Sequence, residues 1–172
     1  MTVSDTKYND AMNGLKTLME ADPSLSVDGT YGVKQISAGE PLRENEYVAI
    51  QIFVIGDREN DEIEGSFELG GSGGNIYHRV MEFAINIYQA WEEGYELNFF
   101  TGATMHGKDG ASITKYGLYQ IAAYMIGFLT SNYTINNTVF VFKWTDTKFV
   151  AGTDTELPYA NISAEAFYNE QL

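Results

Sequence analysis

Tyr47 to Ile55, YVAIQIFVI, is the stretch that most restricts what this chain can fold into. Val48, Ile50, Ile52 and Val54 alternate with Tyr47, Ala49, Gln51, Phe53 and Ile55, so both faces of an extended segment are largely apolar. The run is short and rich in β-branched and aromatic residues. Arg43-Glu44-Asn45-Glu46 precede it and Gly56-Asp57 follow it. These properties predict a strand in the middle of a sheet, covered on both sides.

At 172 residues the chain reads as one domain, 1–172, able to bury about two thirds of its unfolded surface. Cysteine is absent, which excludes a disulfide framework, a thiolate zinc site and a cysteine nucleophile. The opening MTVSDTKYND has no basic patch followed by an apolar core, and the longest strongly apolar stretch, Leu118 to Leu129, is too short for a bilayer. The expectation is a soluble, non-secreted protein with no membrane partner. The Asn-x-Ser/Thr triplets at Asn132, Asn136 and Asn161 then read as chance. Ten Lys and Arg against 24 Asp and Glu give a net charge of -14, which opposes binding of nucleic acid through the average surface. The simplest role of that excess is solubility. A sharper one is that the acids face a basic protein partner, or a passage that must not hold DNA.

Along the chain, Tyr8, Ala11, Met12, Leu15, Leu18 and Met19 form one stripe of an amphipathic helix, with Ser4 or Asp5 as cap and Asp22-Pro23 as stop. A short strand is expected near Tyr31 to Ile36. Asp57 to Glu64, DRENDEIE, reads as a solvated hairpin arm. Gly70-Gly71-Ser72-Gly73-Gly74 suits a flexible turn. Ile76 to Trp91 fits two periods. Tyr77, Met81, Phe83, Ile85 and Ile87 share a face at period two, with Arg79 as the exception; Ile76, Val80, Phe83, Ala84, Ile87 and Trp91 make a stripe at period 3.6. Its β-branched and aromatic content favours a long strand antiparallel to the first. An irregular insertion of about 95–111 follows. Ser112 is then expected to cap a helix whose core stripe is Leu118, Ile121, Ala122, Met125, Phe128 and Leu129. Thr138 to Val150 and Leu157 to Phe167 predict a terminal hairpin. The sum is an α+β fold: a single antiparallel sheet with helices packed on one face and a C-terminal β-hairpin.

No pattern announces a chemistry. Asp57, Asn60, Asp61 and Glu62 lack the alternating ligands and fixed glycine of a calcium loop, so no metal is expected. The glycine run lacks a Lys-Ser/Thr ending, and Gly107-Lys108 is followed by Asp109, so neither is expected to cradle phosphate. His78 and His106 have no candidate ligand at helical spacing, and no Gly-x-Ser-x-Gly elbow marks a nucleophile. His106 reads as an exposed loop residue. No catalytic residue, cofactor or metal is assigned.

The order of elements resembles the tail-terminator, or tail-completion, proteins of long-tailed bacteriophages. The residues carrying the likeness are the helix Tyr8 to Ala21, the strand entry Glu46-Tyr47-Val48-Ala49-Ile50 with its charged arm, the return strand Arg79-Val80-Met81-Glu82-Phe83-Ala84-Ile85-Asn86-Ile87-Tyr88, the second helix, and the last strand Tyr159 to Phe167. The insertion at 95–111 departs from the pattern. The resemblance implies a structural virion protein with no catalytic residues: a homo-oligomeric ring, usually a hexamer, on the end of the tail tube. Such a ring stops tube polymerisation, joins the tail to the head connector and lets DNA pass through its lumen without specific binding. Two Trp, twelve Tyr and ten Phe supply candidate interface anchors. The acidic arm residues Asp57, Glu59, Asp61, Glu62 and Glu64 are the candidates for the lumen or the tube interface. Two rivals stand beside this reading. One is a monomeric acidic DNA mimic that inhibits a nucleic-acid-binding protein. The other is a small hydrolase or sugar-binding domain built on Asp57, Glu59, His106 and the tyrosines.

Overall fold

The computed structural model describes residues 5–40, 48–60, 76–89, 100–106, 112–132, 134–136, 138–152 and 157–171. In chain order its elements are α1 (Asp5–Ala21), β1 (Gln35–Ala38), β2 (Val48–Glu59), β3 (Ile76–Gln89), β4 (Ala103–His106), β5 (Ser112–Lys115), α2 (Leu118–Ser131), β6 (Thr134–Ile135), β7 (Thr138–Val139), β8 (Val141–Val150) and β9 (Tyr159–Gln171). The main sheet has the order β1-β2-β3-β9-β8, and β4-β5 and β6-β7 form two small ribbons. This is the α+β fold expected, with the C-terminal strand pair β8-β9. The sheet is mixed rather than wholly antiparallel, because β1 runs parallel to β2 while the other neighbours are antiparallel.

Register explains the core. Ile50, Ile52 and Val54 of β2 stand beside Ile87, Ile85 and Phe83 of β3, which face Ala160, Ile162 and Ala164 of β9. Period-two alternation puts all of them on one side of the sheet. There they join Leu15 and Met19 of α1 and Ile121 and Met125 of α2 in one buried cluster. The alanines of β9 leave room for α2, which lies over β8, β9 and β3, while α1 covers β1 and β2. The α2 stripe read from the sequence is the buried one, residue for residue.

Elsewhere the structure corrects the sequence reading. β2 is buried more deeply on its helix side, where Ile50 and Ile52 are inaccessible; on the other face Ala49 is buried while Gln51 and Phe53 are half-buried. The minor strand lies at 35–38, not 31–36, because pairing with β2 through Ile36↔Ile50 decides it. α1 begins by Asp5, and Asp22 accepts from the amides of Ser24 and Leu25 to turn the chain after it. Within the supposed irregular insertion, Thr104 pairs with Thr114 and His106 with Ser112 in the β4-β5 ribbon. His106 is therefore a strand residue, and Ser112 does not cap α2. Gly117 takes that place, its amide donating to Gln120 Oε1 at 2.9 Å. β9 lies inside the sheet, between β3 and β8. The glycine run 70–74 and Trp91 lie outside the described residues.

Candidate functional site

Strict alternation along β2 would place Ile50, Ile52, Val54 and Gly56 toward the helices and Asp57 on the open face. A bulge between Val54 and Gly56 changes the phase. Ile55 is the extra residue, 62% exposed. Beyond it, Asp57 pairs with Met81 and Glu59 with Arg79, so Asp57 turns to the helix side of the sheet.

The Asp57 side chain is 2% exposed there and is met by three donors. Arg79 holds it with Nε to Oδ1 at 3.2 Å and Nη2 to Oδ2 at 3.1 Å. Tyr168 of β9 donates to its carboxylate at 3.2 Å, and Tyr8 of α1 does so at 3.2 Å. Lys7 Nζ lies 4.4 Å from the centre of the Tyr168 ring. The cluster thus ties α1, β2, β3 and β9 together at one end of the sheet. The Asp57 hydrogen bonds raise Arg79 above its already high ordinary pKa. Burial first, and then the Asp57 charge, raise the Tyr8 hydroxyl. A carboxylate engaged in this way acts as a clamp.

Beside the clamp is a cavity of about 460 Å³, whose polar wall is Asn60, His78, Arg79, Thr138, Tyr168 and Asn169. His78 Nδ1 lies 2.7 Å from Asn169 Oδ1. Among the described residues, no group of three or more His, Cys, Asp or Glu is placed to hold a metal ion. Of the residues proposed for the arm, Asp57 is the buried centre of the clamp and Glu59 is exposed at the end of β2. Asp61, Glu62 and Glu64 lie outside the described residues. Sequence reasoning took Asp57 as one more solvated charge. Arg79, the single charge on an apolar face, was the available signal that an acid had to be buried beside it.

The opposite face of the sheet carries a second charge group. Glu82 and Glu165 stand directly opposite each other on β3 and β9. Arg58 binds both, Nε to Glu82 Oε1 at 3.3 Å and Nη2 to Glu165 Oε1 at 3.0 Å. Nearby, Asn161 donates to Asn86 Oδ1 at 2.6 Å, and the Tyr88 and Tyr159 rings lie 5.3 Å apart.

β8 is the outer strand on one side of the sheet and the least covered of its long strands. Val141, Trp144 and Phe149 are exposed along it, and Tyr119 and Leu157 are exposed as well. Phe149 meets Tyr119 edge to face at 4.7 Å, and Phe100 lies 5.4 Å from Tyr119. Lys143 and Lys148 project from the same strand, with Asp146 between them and 3.6 Å from Lys148. No helix among the described residues is long and apolar enough to cross a membrane. In comparison with known proteins, no protein-family model and no curated protein matches this chain.

Proposed function

We propose that this chain is a tail terminator of a long-tailed bacteriophage, a structural protein that assembles as a ring, usually a hexamer, on the end of the tail tube. The observation that carries the reading is the outer strand β8, which among the described residues pairs with β9 alone. A ten-residue outer strand with Val141, Trp144 and Phe149 exposed is a surface that a solitary soluble domain has reason to hide. The order of elements, with a central hairpin β2-β3 and a final strand β9 inserted beside β3, supports the family likeness. In this role the ring ends tube growth, joins the tail to the head connector and lets DNA through. The net charge of -14 fits a bore that does not grip phosphate. The clamp at Asp57 anchors the end of β2, and the acidic residues Glu59, Asp61, Glu62 and Glu64 that follow it in sequence are assigned to the lumen or the tube interface. The ring belongs to the tail neck of the virion, and its subunits are soluble before assembly.

The rival DNA mimic needs unneutralised carboxylates along one face. On the described open face, Glu82 and Glu165 share Arg58, which favours the ring. The test is to polymerise the cognate tail-tube protein with and without this chain and to image the products by electron microscopy. The proposal expects capped tubes whose growth stops when the chain is added. Tubes that lengthen equally in its presence and carry no cap would overturn it.

A further inference from the structure

We infer that the cavity beside the clamp binds a carboxylate that carries an apolar group, with Arg79 as its charged anchor. The cavity lies where the sheet runs out: pairing of β8 with β9 begins at Val141↔Phe167, while β9 continues along β3 to Gln171. Its volume of about 460 Å³ is that of a small-molecule site. Asp57 occupies one edge of the Arg79 guanidinium, the fork of Nε and Nη2. A guanidinium has a second fork, Nη1 with the remaining N–H of Nη2, which suits a carboxylate bidentately. Arg79 is 22% exposed and lines the cavity, whereas the Asp57 side chain is 2% exposed. The second fork is therefore the part of the pair within a ligand's reach. One guanidinium serving two carboxylates already occurs in this chain, where Arg58 binds both Glu82 and Glu165.

The rest of the wall decides the ligand. Asn169 Oδ1 accepts from His78 Nδ1 at 2.7 Å, which leaves the Asn169 amide nitrogen to donate, and Thr138 adds a hydroxyl. Among the described residues of this wall there is no Asp or Glu, although acids outnumber Lys and Arg 24 to 10 in the chain. Donors with no competing carboxylate call for an acceptor. Val141 and Phe167 give the cavity an apolar side, so the acceptor should carry a hydrocarbon group. Charge narrows the choice further. Arg79 is already paired with Asp57 and the chain carries -14, so a singly charged carboxylate fits better than a phosphate dianion. The adjoining cavity of about 320 Å³ shares Thr138, Tyr168 and Asn169, but its wall holds both Lys7 and Asp10, an acid beside a base, and makes no such demand. The inference goes beyond the ring and does not depend on it.

Such a carboxylate belongs either to a free acid or to the end of a polypeptide, and the probes separate the two. The full chain is titrated calorimetrically with N-acetyl-leucine, N-acetyl-leucinamide, the peptide N-acetyl-alanyl-alanyl-leucine with a free carboxylate, and inorganic phosphate. N-acetyl-leucine is expected to bind saturably, and its amide about tenfold more weakly or worse, as for loss of a charge-assisted contact. Thr138→Val keeps the side-chain shape and should weaken the acid by about fivefold, with the circular dichroism unchanged. Arg79→Lys keeps the charge without the fork and should weaken it further; circular dichroism checks its fold, because Arg79 also holds Asp57. A peptide acid that binds more tightly than N-acetyl-leucine upholds the carboxylate and names a chain terminus as its source, whereas equal binding upholds it and names a free acid. Acid and amide binding alike, or phosphate binding as tightly as the acid, would overturn the ligand class. Binding indifferent to Thr138→Val and to a folded Arg79→Lys would overturn the site, and no binding by any probe up to millimolar concentration would overturn the inference outright.

Discussion

The Arg79 guanidinium grips the Asp57 carboxylate through two parallel contacts of 3.2 and 3.1 Å, on the side of the sheet that the helices cover. Breaking one member of a buried pair leaves the other charge uncompensated, which costs more than the pair contributes. Arg79 is 22% exposed, so the penalty is moderated by solvent. Asp57→Ala is expected to lower the unfolding free energy by about 2 to 3 kcal/mol, read by urea unfolding followed by circular dichroism. The double variant Asp57→Leu/Arg79→Met is expected to recover much of that loss, because it removes both charges and retains apolar volume. A double variant as unstable as the sum of its singles would show that the pair is not coupled.

Burial and the neighbouring Asp57 charge raise Tyr8, and burial raises Tyr31 and Tyr88, above the ordinary value of 10.0. A raised folded pKa means that the unfolded chain releases the proton first as pH climbs. These groups therefore add no slope below about pH 10, and stability falls as pH rises through the window between the unfolded and folded values. Thermal melts from pH 8 to 11 are expected to be flat and then to decline. Tyr8→Phe should shallow that decline, while removing a hydrogen bond worth about 1 kcal/mol at neutral pH.

Gly14 sits inside α1, where alanine would ordinarily add up to about 1 kcal/mol of helix stability. A Cβ at this position would lie 2.2 Å from Ile135 Cγ2 and 2.8 Å from Asn136 Nδ2. Ile135 is buried and cannot step aside freely. Overpacking of this kind typically costs about 1 to 3 kcal/mol, so it outweighs the propensity gain. Gly14→Ala is expected to lower the melting temperature; a rise would mean that α1 and the β6-β7 ribbon separate easily.

Arg58 relieves the repulsion between Glu82 and Glu165, which face each other across β3 and β9. Arg58→Met is expected to lower the melting temperature at low salt, and the difference from the parent chain should shrink as salt screens the two glutamates. A difference indifferent to salt would assign the effect to packing of the Arg58 stem instead.

The architecture was legible where one local signal dominated. The α2 stripe from Leu118 to Leu129 has no competing period, and all six of its residues are buried. Ile76 to Tyr88 fits helix and strand periods equally, and its β-branched and aromatic content pointed to the strand that pairs with β2. What escaped depends on non-local pairing. β1 takes its bounds from Ile50 and Ile52, which lie far along the chain. The β4-β5 ribbon is four residues a side, and Gly102 beside it has a φ of +70°, a left-handed conformation that favours glycine. The position of Asp57 was hidden by a one-residue bulge at Ile55, since alternation counted through it puts every later side chain on the wrong face. Arg79 was visible as an exception to its face, and its partner was not.

The central claim is assembly through the exposed edge of the sheet. Native mass spectrometry of the purified chain at high concentration tests it most directly. The account predicts a closed species at a fixed multiple of the 19.2 kDa subunit, six in the expected ring. A single species of 19.2 kDa at every concentration would contradict it.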